Sequence, residues 1–175
     1  MEDSLSIIFA IMLSLILMFI FPLIDSWNLQ DNLSYCVAYA ATVDFVDTAR
    51  NVGYITEDIY DSFYSKLLAT GNTYDISMEH RKYNEQVNVY LNMYTNEILQ
   101  DMAKEETVTN PDGTTKTQVK GIHRLDFHDY FYVTVRNTNR TQATILSDFF
   151  TSSIGTNTKI VVVYGGIVWS ARDEV

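Results

Sequence analysis

LSIIFAIMLSLILMFIFPLI, residues Leu5 to Ile24, decides how this chain is read. Twenty residues run without one charge. At 1.5 Å of rise per residue they make a helix of about 30 Å, the thickness of the hydrocarbon core of a bilayer. Apolar side chains point in every direction, so no single face can hide against a soluble domain. The stretch must lie in lipid or be sheathed by copies of itself. In the second case Leu5, Ile8, Phe9, Met12, Leu15, Ile16, Phe19, Ile20 and Leu23 are the residues expected to pack helix against helix.

Beyond Asp25 and Ser26 the apolar residues thin to a stripe: Trp27, Leu29, Leu33, Val37, Ala40, Val43, Val46 and Ala49. Their spacing averages near the helical period. Gly53 then fits a helix C-cap. One long helix is expected, apolar all round at its start and amphipathic in its second half. Pro22 predicts a kink near the junction, because proline lacks the backbone donor and crowds the preceding turn. The apolar segment does not read as a secretory signal. It is too long, no cationic stretch precedes it, and no small-residue cleavage motif follows. Glu2 and Asp3 stand before it and the first basic residue is Arg50, so the positive-inside rule has nothing to count.

The chain divides into residues 1–25, a transmembrane or filament-core segment, and residues 26–175, a globular domain that includes the amphipathic half of the helix. About 150 residues are enough for one compact core. Thr56, followed by Glu57 and Asp58, predicts the start of a second helix that Gly71 ends. From Tyr74 the period becomes two: Tyr74, Ile76, Met78 and His80 share one face of a strand. Residues 81–106 carry both periods, and a helix is expected over roughly 93–104. Thr107 to Val119 predicts a polar hairpin turning at Asn110-Pro111-Asp112-Gly113. A strand follows over 124–135, then a third short helix over 141–153. Lys159 to Trp169 is apolar on both faces and is expected to be a central strand. Within it Gly165-Gly166 predicts a bulge or a close backbone approach. The class is α+β, a small antiparallel sheet packed on the long helix.

Twelve Lys and Arg against 22 Asp and Glu leave a net charge of -10. Phosphate backbones would be repelled, which argues against nucleic acid. Lone Cys36 has no intrachain disulfide partner and is expected to be a small buried hydrophobe. No nucleophile elbow, phosphate loop or dinucleotide fingerprint is present. His123 and His128 are five residues apart on one strand pattern and point to opposite faces, and His80 lies on another strand. All three are expected at the surface or at strand ends, with no metal or cofactor and no catalytic residue. The twelve tyrosines divide between core filling and a contact surface.

The order of elements resembles the type IV pilin superfamily. FVDTARNVGYITEDIYDSFYSKLLATGNTYDISMEH, from Phe45 to His80, is similar to the TadE-like and related proteins of bacterial tight-adherence loci: a helix, a Gly, a short helix, a second Gly and a strand. YFYVTVRNTNRTQAT and KIVVVYGG are similar to the last strands of such proteins. The resemblance implies a structural subunit of an adhesive surface filament whose partners are copies of itself. It also implies membrane residence before assembly, and contact with other pilin subunits and assembly machinery. Glu2 or Asp3 would stand near the place of the family's N-terminal glutamate, at a different offset, and would set register by pairing with a neighbouring N-terminus. The location implied is a cell-surface filament, or the cytoplasmic membrane with an extracytoplasmic domain. A membrane-anchored accessory or binding protein is the second reading. A membrane-tethered enzyme is the third, and it requires His80, His123 or His128 to converge with carboxylates in a pocket.

Overall fold

A computed structural model describes residues 2–84, 86–109, 115–151 and 160–169. Helix α1 (Glu2–Val52) runs unbroken through Pro22. It ends where Gly53 takes a positive φ of 76° and donates its N–H to Ala49 O at 2.9 Å. Glycine adopts that left-handed conformation without the steric penalty of a Cβ. A two-residue strand β1 (Tyr54–Ile55) leads to α2 (Glu57–Leu68). Thr56 caps α2 by accepting from Ile59 N, as its sequence position predicts.

Four further strands form one antiparallel sheet: β2 (Tyr74–Asn84), β3 (Val89–Tyr94), β7 (Tyr130–Asn137) and β8 (Val161–Ile167), in the order β3-β2-β7-β8. Helix α3 (Thr95–Ala103) follows β3 directly, so both periods read in residues 81–106 are real, one after the other. The hairpin is β4 (Glu105–Thr109) against β5 (Thr115–Lys120), and its turn, with Asn110 to Gly113, lies outside the described residues. The strand expected over 124–135 is split into β6 (His123–Arg124), which pairs with β1, and β7. Helix α4 (Gln142–Thr151) falls where the third short helix is expected.

The core forms where α1, α2 and α3 meet the inner face of the sheet. Phe45 of α1 stacks on Phe63 of α2 at 4.4 Å between ring centroids and meets Phe131 of β7 edge-on at 6.0 Å. Met78, Val133, Val135, Val162, Ile98 and Met102 complete the cluster. The outer face carries Tyr83, Tyr90, Tyr94, Tyr130 and Tyr132, their positions fixed by the register. Neighbouring rings touch along Tyr83–Tyr90, Tyr90–Tyr130 and Tyr130–Tyr132.

Three expectations are corrected. The buried stripe of α1 is Asp31, Ser34, Ala38, Ala41, Thr42, Phe45, Val46 and Ala49, running from Thr141 at the start of α4 to α2 and the sheet, whereas Leu29, Leu33, Val37 and Ala40 are exposed. The larger aliphatic residues are left outside. Strand β8 is an edge rather than a central strand. Among the described residues it pairs with β7 alone, and Val161 and Val163 are exposed on the face turned away from α1. Cys36 is exposed rather than buried.

The glycine pair explains the close approach without a bulge. Register between β7 and β8 is continuous through Gly165 and Gly166. A Cβ on Gly165 would fall 2.4 Å from the Tyr132 ring and 2.5 Å from Phe131 O, and one on Gly166 would meet the Arg50 guanidinium at 3.0 Å.

Candidate functional site

Alternation along β2 turns Met78 and His80 inward, where His80 lies opposite Phe131 of β7. Strand β6, held to β1, carries His123 into the same space. Between β6 and β7 the chain reverses over residues 126–129, with His128 at a positive φ of 70° and Asp129 donating its N–H to Asp126 O at 3.1 Å. That reversal turns Asp129 inward. From the other side the last turn of α3 brings Asp101.

The four side chains form a line. Asp101 Oδ2 lies 2.9 Å from His123 Nδ1, His123 Nε2 lies 2.9 Å from His80 Nδ1, and His80 Nε2 lies 2.8 Å from Asp129 Oδ2. The two imidazoles meet edge to face. His80 and Asp129 have side chains 1% exposed and His123 2%, whereas Asp101 is 26% exposed. Asp129 also accepts from Tyr83 N at 2.9 Å and Asp126 N at 2.8 Å. Asp101 also accepts from Lys104 Nζ at 2.6 Å.

The environment sets the charges. Burial pushes the His123 imidazole below its ordinary value of 6.5, against the pull of its bond to Asp101. Burial pushes Asp129 up, but the bonds from His80, Tyr83 N and Asp126 N outweigh it and hold the carboxyl below its ordinary range. The Lys104 ammonium does the same for Asp101, helped by His123.

Two of the three histidines are therefore buried partners rather than surface residues, which corrects the sequence expectation. The geometric condition attached to the enzyme reading, histidines converging with carboxylates, is met by His80 and His123. A groove of about 510 Å³ reaches them, lined also by Lys82, Lys104 and Arg124. Yet every ring nitrogen of both histidines already faces a protein atom at hydrogen-bond distance. Such a chain can hold and pass a proton along itself, and it presents no unengaged base to a substrate. Its donors face one another in a line rather than a common centre. Among the described residues no group of three His, Cys, Asp or Glu side chains is placed to hold a metal ion. His128 is exposed, its ring 3.9 Å from that of Phe127, and takes no part.

The N-terminal helix is a site of a different kind. It is long and apolar enough to cross a membrane, and no residue of its most apolar 18-residue window is buried. Leu5, Ile8, Phe9, Met12, Leu15, Ile16, Phe19 and Leu23 are all exposed, and Ile20 is half-buried. Pro22 is exposed within the helix. Glu2 and Asp3 lie in its first turn, and their side chains lie outside the described residues. Set against known proteins, the chain matches no family model, no curated protein and no solved structure.

Proposed function

We propose that this chain is a structural subunit of a bacterial type IV pilus-like surface filament, held in the membrane by α1 before assembly and packed through α1 against copies of itself afterwards. The observation that carries the reading is the reach of the uncovered apolar surface. It does not stop where a bilayer span would stop. Exposed aliphatic residues continue past Asp25 through Leu29, Leu33 and Val37, on the side of α1 turned away from the sheet. Lipid would accept the first 20 residues or so. It gives no account of the further exposed aliphatic residues beside a folded domain, and neighbouring helices of the same kind do. Each leucine-sized side chain buried in such contacts is worth roughly 1.5–3 kcal/mol. The domain would then face outward, carrying the tyrosine-lined surface of its sheet.

The test is negative-stain electron microscopy of material sheared from cells, with mass spectrometry of the same fraction. Uniform thin fibres containing this chain are expected. Recovery of the whole population as one detergent-soluble 20.1 kDa species, with no fibres, would overturn the reading in favour of a single-span anchored accessory protein. That second reading rests on the length and apolarity of α1 alone.

A further inference from the structure

We propose that Asp101, His123, His80 and Asp129 form a proton-held latch that fastens the end of α3 and the base of the β4–β5 hairpin to the sheet, closed while the chain carries three protons and open at Asp101 when it carries two. Three contacts of 2.8–2.9 Å join four groups, and each needs one proton between its two heavy atoms. Two neutral imidazoles bring two protons, and carboxylates bring none. A third proton is required, or one contact sets lone pair against lone pair.

The place of that proton follows from the neighbours. Asp129 accepts three N–H bonds and Asp101 sits against the Lys104 ammonium, so neither carboxyl takes it. It belongs to an imidazole, and His80, next to fully buried Asp129, is the better placed. His80 Nε2–H then donates to Asp129 and His80 Nδ1–H donates to His123 Nε2. His123, neutral, donates its Nδ1–H to Asp101. Every buried polar side-chain atom is thereby satisfied, as is found among the described residues.

Other charges face the latch from each side. Lys82 of β2 is held 2.7 Å from Asp126, Lys104 caps α3, and Arg124 of β6 lines the adjoining groove. From β3 and β7 the neighbours opposite His80 are Met93 and Phe131, which do not titrate.

When the third proton leaves, one contact must open, and the two ends differ. Asp129 is 1% exposed and fixed by two backbone N–H groups, so it cannot turn away. Asp101 is 26% exposed and has Lys104 as a second partner. The gap therefore falls between Asp101 and His123. These residues bracket the hairpin, whose base is also closed by Gly121. A Cβ there would lie 2.0 Å from Asp101 O and 2.7 Å from Lys104 O, so the chain passes directly against the last turn of α3.

The experiment follows the histidine side-chain nitrogens of the full chain in detergent micelles by long-range proton–nitrogen NMR, from about pH 5.5 to about pH 9. Amide protection in α3 and β6, corrected for the intrinsic exchange rate, is measured alongside. Three protonated nitrogens on His80 and His123 are expected at the lower end and two at the upper. Protection in the last turn of α3 should fall about tenfold across the same transition, the scale of one hydrogen bond to a charged group. Two protonated nitrogens throughout, or proton loss without a change in protection, would overturn the latch. Asp101→Asn supplies the control, because an amide offers His123 either an oxygen or an N–H. In that variant the third proton should still leave while protection stays level. A step in protection that survives the substitution would also overturn it.

Discussion

The two halves of α1 belong to one unbroken helix and are built on opposite rules. In the first, large aliphatic and aromatic residues occupy every direction and none of the apolar core is buried. In the second, the buried stripe is made of Asp31, Ser34, Ala38, Ala41 and Thr42 before Phe45 is reached, while Leu29 and Leu33 stand outside. The apolar surface is thus left uncovered in the first half, and in the second half small or polar side chains begin the buried stripe before Phe45 meets β7. Thr42 returns its hydroxyl to Ala38 O at 2.7 Å, and Thr141 Oγ1 lies 2.8 Å from Asp31 Oδ2, so the polar members of the inward stripe are satisfied.

The sharpest way to break this contrast is to truncate one phenylalanine in each half. Phe45→Ala removes the ring that joins α2 and β7 to the helix and should destabilise the domain by about 3–5 kcal/mol in urea unfolding. Phe19→Ala should leave that transition within about 0.5 kcal/mol of the parent, with its effect confined to fibre yield. Equal effects of the two on unfolding would refute the division.

Next in size, Gly165→Ala tests how tightly the sheet is fitted. Its Cβ would strike Phe131 O and the Tyr132 ring, so a loss of about 1–3 kcal/mol in thermal or chemical unfolding is expected. An unchanged midpoint would mean that β8 shifts freely against β7.

Acid titration separates the domain from the apolar helix, which has no charge between Leu5 and Ile24. His123 is held below 6.5, so the unfolded chain takes up its proton first and stability falls as pH drops from about 6.5 towards the folded value. Asp101 and Asp129 are held below 3.8, and their contribution, present above that value, is lost as pH falls further through their folded values. The urea midpoint should therefore decline in two stages. His123→Gln should remove the upper one. A single stage confined to the carboxylate range in the parent would contradict the burial of His123.

The smallest expected change is Leu33→Ser, on the outer face of the packed half. Domain unfolding should move by no more than about 0.5 kcal/mol, while recovery of sheared fibres drops. A large loss of stability would place Leu33 in the core after all.

Local signals were legible in the residues themselves. Gly53 and Gly71, both at φ 76°, and the Thr56 cap set the helix ends because each acts within a few positions. The alternation of Tyr74 to His80 placed His80 on the inner face. What the sequence hides is long-range. The partners of His80 lie 43 and 49 residues away, and Asp101 lies 22 from His123. The one local clue to its burial is that His80 shares the inward period of Met78. The left-handed turn at His128 also defeated the reading of 124–135 as one strand, since a non-glycine residue gives little warning of a positive φ. Strand order is equally non-local, so the apolar β8 read as central although α1 covers only one of its faces.

The far end of α1 is fastened to β8 by Arg50 and by Asp47, which accepts from the Tyr164 hydroxyl at 3.2 Å. Arg50 donates from Nε to Ile167 O at 2.7 Å and from Nη1 to Asp47 at 2.9 Å, and its own carbonyl receives Trp169 N at 3.3 Å. With 51 residues in one helix, a rod of about 77 Å enters the domain at one side and is tied off at the other. Tension applied to the N-terminal end is carried along the whole contact from Ala38 to Arg50 at once. Its bonds are loaded in shear, as the threads of a bolt are, and no contact has to bear the pull alone.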